Sequence, residues 1–265
     1  MRVLFAVRVA VGGLVLALGA SIALAQTRGT DSEASFNAGL THLRENRPAM
    51  ALEQFKKAIR EDPKNAYAYK GLGLTYAQLT GQCSSGDQGC VQGRLREAIA
   101  AFRKALELNP YYVDVRNDLG SALVLSGKRA EGKAEFLAAF NDPTNPTPEI
   151  SARNLGQAYF EEKNYREALN WFRTSFTRNK SYPEPYLGFA EAVAALGHPD
   201  EAVVALEGAL KEVPGQPDLL VALGQAYYKT GRFTEARSRL EEAARRDPAG
   251  PAGRRAMELM KNFPK

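Results

Sequence analysis

Apolar and small residues recur along this chain at helical spacing, and from Glu149 to Gly250 the whole pattern returns with a period of 34 residues. The clearest copy holds Leu223, Gly224, Tyr227, Gly231, Phe233, Ala236, Leu240, Ala243 and Pro248. One period earlier stand Phe189, Ala190, Val193, Gly197, Pro199, Ala202, Leu206, Ala209 and Pro214. Before those come Leu155, Gly156, Tyr159, Lys163, Tyr165, Ala168, Phe172, Ser175 and Lys180. The pattern predicts an antiparallel helical hairpin. Its first helix carries a large residue, a small one four later and an aromatic three after that on a single face. Its second helix sets a large residue between two small ones and ends at a proline, which cannot continue a helix.

Carried along the chain, this register predicts units at 32–65, 66–112, 113–148, 149–182, 183–216 and 217–250. The expected fold is all-α, a solenoid of about six such hairpins. A capping helix and tail follow over 251–265, with Met257, Leu259 and Met260 facing inward and Arg254, Arg255 and Lys261 outward. Two places break the period. The second unit carries 13 extra residues at about 81–93, rich in glycine and polar residues and expected to form a surface loop. The third unit closes on Asn141 to Pro148, where Pro143, Pro146 and Pro148 predict a stiff, extended connection.

The amino terminus reads differently. Arg2 and Arg8 precede an apolar run from Val9, and Ala23, Leu24 and Ala25 form a small-x-small cleavage signature. Residues 1–25 are expected to be a signal peptide cut before Gln26, with 26–31 a polar linker. The competing reading is a retained anchor, since a spanning helix needs about 20 apolar residues and as few as about 17 suffice. Cleavage leaves no integral membrane segment and places the mature protein in the periplasm, in reach of the outer membrane. No cysteine near the cut could accept a lipid.

Composition adds mainly exclusions. A hydrophobic share of 45% supports an extensive core, and the formal charge of +5 falls by two when Arg2 and Arg8 leave with the leader. Charges of both signs are interspersed, with no basic run and no aromatic–basic interleaving, so no nucleic-acid partner is expected. No phosphate loop, zinc motif, nucleophile elbow or dinucleotide fingerprint is present, and no catalytic residue, metal or cofactor is expected. Cys83 and Cys90 are the only cysteines, and in an oxidising compartment a disulfide restraining the inserted loop is the favoured state. A metal site there would need further ligands, and a catalytic Cys–His pair would need a histidine close by in the fold. His42 occupies the aromatic position of the first helix, where packing is expected, and His198 sits in a turn.

What remains is a surface. First-helix side chains pointing away from the second helix line a groove, and the register places Phe36, Tyr67, Lys70, Asn117, Arg153, Gln157, Phe160, Gln225, Tyr228 and Lys229 there. Exposed apolar rows in a groove mark recognition of a helix or extended peptide. The alternative, for Leu40, Leu74 and Val124 especially, is burial between adjacent hairpins. A Lys–Asn clamp for a terminal carboxylate is incomplete, because Leu74 follows Lys70 where Asn is needed.

The spacing of these signature positions resembles that of the tetratricopeptide repeat family over nearly all of the chain after residue 25, and the resemblance implies that the solenoid winds as a right-handed superhelix. A narrower resemblance lies in Asp118, Leu119 and Gly120, in the run Glu135 to Glu149 with Asp142, Pro143, Pro146, Thr147, Pro148 and Glu149, and in Asn154 and Gly156. These are similar to the type IV pilus biogenesis and stability proteins, the secretin pilotin family. The resemblance implies a non-enzymatic exported scaffold that binds a protein, an outer-membrane secretin in that family, and aids its assembly or stability. A periplasmic adaptor for another envelope assembly, in cell-wall or polysaccharide machinery, is the alternative. A redox or hydrolytic enzyme centred on the two cysteines is a third reading.

Overall fold

In a computed structural model, residues 30–261 and Phe263 are described. The expected signal peptide, with most of the linker after it, lies outside the described residues. The described chain is helical: α1 (30–44), α2 (Pro48–Glu61), α3 (Ala66–Leu79), α4 (Gln88–Leu108), α5 (Val113–Leu125), α6 (Arg129–Asn141) and α7 (Pro148–Glu161) come first. Then follow α8 (Tyr165–Arg178), α9 (Glu184–Ala195), α10 (Pro199–Glu212), α11 (Pro217–Lys229), α12 (Phe233–Arg246) and α13 (Pro251–Met260). No strand occurs among the described residues, and no helix there is long and apolar enough to cross a membrane. The described chain divides into two compact units, one ending at Lys128 and the other beginning at Arg129.

Within each unit consecutive helices pack as hairpins around rings held by glycines. The buried Phe55 of α2 lies against Gly39 of α1 and Gly71 of α3: a Cβ on either glycine would come within 2.7 and 2.4 Å of the ring. In the second unit Phe172 of α8 sits in the same way between Gly156 and Gly188, where a Cβ would stand 2.6 and 2.4 Å away. The sequence pattern foresees the glycine inside each hairpin. The second glycine, six residues into the following unit, lets the next hairpin approach the same ring, so one phenylalanine joins three helices.

The turn from first to second helix is also repeated. After α1, α5, α7, α9 and α11 one residue takes a positive φ: Asn46, Gly127, Lys163, Gly197 and Gly231. The next N–H then donates to the carbonyl five residues back, as Arg47 does to His42 (2.8 Å) and Arg232 to Tyr227 (2.9 Å). This left-handed cap satisfies carbonyls that the helix end leaves unpaired. The second hairpin abandons it. Thr80, at the equivalent place, stays right-handed at φ −60 and leads into a short 3-10 turn, Thr80–Gln82. The inserted segment is less of a loop than expected. Asp87 caps a helix by accepting from the Cys90 N–H (2.9 Å), so Gln88–Gly93 already belongs to α4.

Two further expectations change. The proline-rich junction before α7 folds as a turn rather than an extended strut. Asp142 accepts from the Thr144 N–H (2.8 Å), and the Asn145 amide donates to the Ala139 carbonyl (2.7 Å). In α13 the buried face is Ala252, Gly253 and Ala256, with Leu259 and Met260 half-buried, while Met257 is exposed. Close contact with the preceding turn selects small residues there: Asp247 accepts from the Ala252 N–H (3.0 Å), and a Cβ on Gly253 would lie 1.8 Å from the Asp247 carbonyl oxygen.

Candidate functional site

The inner face of the first unit is built from rings. Phe36 on α1 packs against Tyr67 at the start of α3 (6.1 Å between centroids), and Tyr67 meets Tyr112 edge-on (5.2 Å). Tyr112 immediately precedes α5, so each hairpin contributes one ring to the row. Tyr67 is 57% exposed, although tyrosine offers a large apolar face. Lys70, one turn along α3, places its ammonium 5.2 Å from the centre of the Tyr112 ring and pairs with Asp114. Asp118 lies one turn beyond Asp114. Burial pushes its carboxyl up to about 6, with Lys70 pulling it down and Asp114 adding to the rise. Burial also raises the Tyr112 phenol, helped by the negative charge of Asp114. Glu33, Phe36, Asp62, Lys64 and Tyr67 border a cavity of about 530 Å³.

The second unit presents different chemistry. Arg153 of α7 is half-buried and donates from Nε to the Tyr182 hydroxyl (3.1 Å). Gln157 is exposed and donates to Glu161 (3.1 Å). Phe160 turns toward Tyr165 (5.4 Å) and packs on Ala168, Phe172 and Ala192. On α11, Gln225 and Lys229 line a shallow cavity with Leu187, Glu191 and Ala222, and with Tyr228 they line a second cavity of about 240 Å³. Phe263, past α13, reaches into that second cavity and lies 4.9 Å from the Tyr228 ring.

The expected groove residues therefore fall into separate sets. Phe36, Tyr67 and Lys70 come together in the first unit, and Gln225, Tyr228 and Lys229 in the second. Asn117 lies on α5 of the first unit, where its carbonyl accepts from the Ser121 hydroxyl (2.9 Å). Tyr112, Asp114, Asp118 and Phe263 were not foreseen. Phe263 follows the last repeat and so occupies no periodic position, whereas Tyr112 closes its unit as Tyr182 closes another. Asp118 could have been noticed, because it stands where Gly71 and Gly188 stand in their units. Cys83 and Cys90 form a disulfide with Cα atoms 5.8 Å apart. His42 is half-buried on α1, 3.8 Å from Glu45, and His198 is exposed in its turn, 3.9 Å from Glu201. Among the described residues no group of three or more His, Cys, Asp or Glu is arranged to hold a metal ion.

Three family models described as tetratricopeptide repeat match residues 21–80, 90–214 and 194–259. Among solved structures, PilW, described as a widely conserved type IV pilus biogenesis factor, superposes with a TM-score of 0.66 at 21% identity over 85% of this chain and 98% of its own. Pseudomonas aeruginosa pilF gives a TM-score of 0.64 at 19% identity, covering 89% of this chain and 100% of that one. At these identities the likeness is one of fold. Among curated sequences, the CTR9 homolog of Arabidopsis thaliana is 23% identical over 75% of this chain and 18% of its own length. A probable SPINDLY peptide N-acetylglucosaminyltransferase from Eustoma exaltatum is 30% identical over 56% of this chain and 15% of its own length. The chain thus spans less than a fifth of these curated relatives.

Proposed function

We propose that this chain, which belongs to the tetratricopeptide repeat family, is an exported scaffold with no catalysis of its own that binds another protein along the inner helix faces. Its partner belongs to the machinery of a type IV pilus, with an outer-membrane secretin as the foremost candidate. The observation that carries the reading is a fold likeness to PilW that extends over 85% of this chain and 98% of that one, well beyond a single repeat. The exposed rings at Tyr67 and Tyr228 support a binding role, because solvated aromatics on a rigid scaffold are what interface hot spots are made of.

Deletion of the gene tests this directly. The expected result is loss of heat-resistant secretin multimers and of surface pili, restored by the wild-type gene and less well by one carrying Tyr67→Ala and Tyr228→Ala. Crosslinking in intact cells should join the chain to the secretin. Intact multimers and pili in the deletion strain would sink the pilus reading. Export is tested separately by the mass of the mature protein, which should begin at Gln26.

A further inference from the structure

Resting on the reading of the inner faces as a protein-binding surface, we infer that the first unit receives a basic, aromatic-rich segment of its partner, with an arginine or lysine seated on the Phe36–Tyr67–Tyr112 row. The geometry supplies two halves of a cation site. Ring faces attract a cation through their quadrupole, and the row offers three rings in sequence with Tyr67 more than half exposed. Carboxylates flank the row on both sides. Glu33 and Asp62 border the cavity next to Phe36 and Tyr67, and Asp114 and Asp118 lie beside Tyr112. Lys64 borders the same cavity, and Lys70 already sits over the Tyr112 ring.

Lys70 shows what the site accepts. Its ammonium makes both contacts a partner's cation would make: the face of a tyrosine ring and a carboxylate, Asp114. Lys70 serves two carboxylates at once, pairing with Asp114 while its charge also acts on Asp118. A second cation from outside would complete the balance. The occupant's apolar part follows from Phe36 and Tyr67, whose rings border a cavity of about 530 Å³ wide enough for an aromatic side chain.

The test uses the full chain and two synthetic peptides, one in which arginine and phenylalanine alternate with serine, the other with glutamate in place of each arginine. Fluorescence anisotropy should show the arginine peptide bound and the glutamate peptide at least about tenfold weaker. Tyr67→Ala, at an exposed position, should weaken the arginine peptide about tenfold. Lys70→Met, which keeps the stem and removes the competing charge, should tighten it severalfold. Hydrogen exchange should slow in residues 33–37, 62–70 and 112–118 on binding. Equal binding of the glutamate peptide, weaker binding by Lys70→Met, or protection confined to Gln225–Lys229 would each overturn the inference. So would failure to bind either peptide. The broader reading stands or falls by the secretin multimers in the deletion strain, so the two failures are told apart.

Discussion

The two units share their packing and differ on their inner faces. Phe55 and Phe172 are held alike, each between a glycine of its own hairpin and one of the next. Yet where the first unit shows Phe36, Tyr67 and a surplus of carboxylates, the second shows Arg153, Gln157, Gln225 and Lys229, with Tyr228 partly occupied by Phe263 of the same chain. Packing positions have one solution, because a ring clamped between two backbones tolerates no Cβ. Inner positions such as Tyr67 and Gln157 keep an exposed side, so their chemistry is free to follow a partner.

The clamps give the largest test of what is shared. Phe55→Ala and Phe172→Ala should each lower the stability of their own unit by about 3–5 kcal/mol, the range for deleting a buried ring. Trp171 is the only tryptophan and lies in the second unit, 5.3 Å from Phe140, so its fluorescence follows that unit alone. Hydrogen exchange follows the first. Equal losses would confirm that the clamps are equivalent; a mild effect at Phe55 would break the comparison.

A smaller effect belongs to the first unit only. The Cys83–Cys90 bond lies in the one hairpin that lacks a left-handed turn, and it holds the start of α4 to the end of the 3-10 turn that follows α3. Replacing both cysteines by serine should cost about 2 kcal/mol, measured by exchange in residues 80–94. The Trp171 signal should not move.

Asp118 comes next. Its carboxyl, pushed up to about 6 by burial, holds a proton more tightly in the folded chain than in the unfolded one, where the value is near 3.9. A group raised in this way makes the fold less stable as pH climbs from about 4 through 6, because the charged form must be kept away from water. Lys70 offsets part of that and Asp114 adds to it. Asp118→Asn should therefore stabilise the first unit at pH 7 by about 2 kcal/mol, allowing for its partial exposure, and should do little at pH 4. Unfolding midpoints at the two pH values decide it, and an equal gain at both would sink the idea.

How far the sequence alone reaches follows the same division. The 34-residue period located the clamping rings and the first glycine of each pair, and it marked the positions of Lys163, Gly197 and Gly231 without their left-handed conformation, because each stands at a fixed distance along the chain. It missed the early start of α4, since a glycine-rich segment reads as loop unless Asp87 is recognised as a cap. It placed Met257 inward because hydrophobicity was weighed above size, whereas the crowded turn at Asp247 admits only Ala252, Gly253 and Ala256. On the inner faces, Phe36, Tyr67 and Lys70 were legible from helix phase. Tyr112 and Asp118 were passed over although both stand at repeat positions, because the repeat pattern marks a position and not the chemistry that gathers round it.

The smallest test concerns a position where one repeat departs from the others without any change in shape. Lys163 takes φ +60 in the turn after α7, where Gly127, Gly197 and Gly231 stand in three other hairpins and Asn46 in the first. An L side chain with a Cβ is crowded in that region by about 1–2 kcal/mol, and Asn is better suited to it than Lys. Glycine removes the crowding but loses more entropy on folding, which returns part of the gain. Lys163→Gly should thus stabilise the second unit by about 1 kcal/mol or slightly less, read from Trp171 fluorescence in denaturant, and Asn46→Gly should change the first unit by less. Lys163 is exposed, so no lost contact should mask the gain. If Lys163→Gly destabilised the unit instead, the lysine would have to be held by something its neighbours in the other turns are not, and the turns could no longer be treated as equivalent.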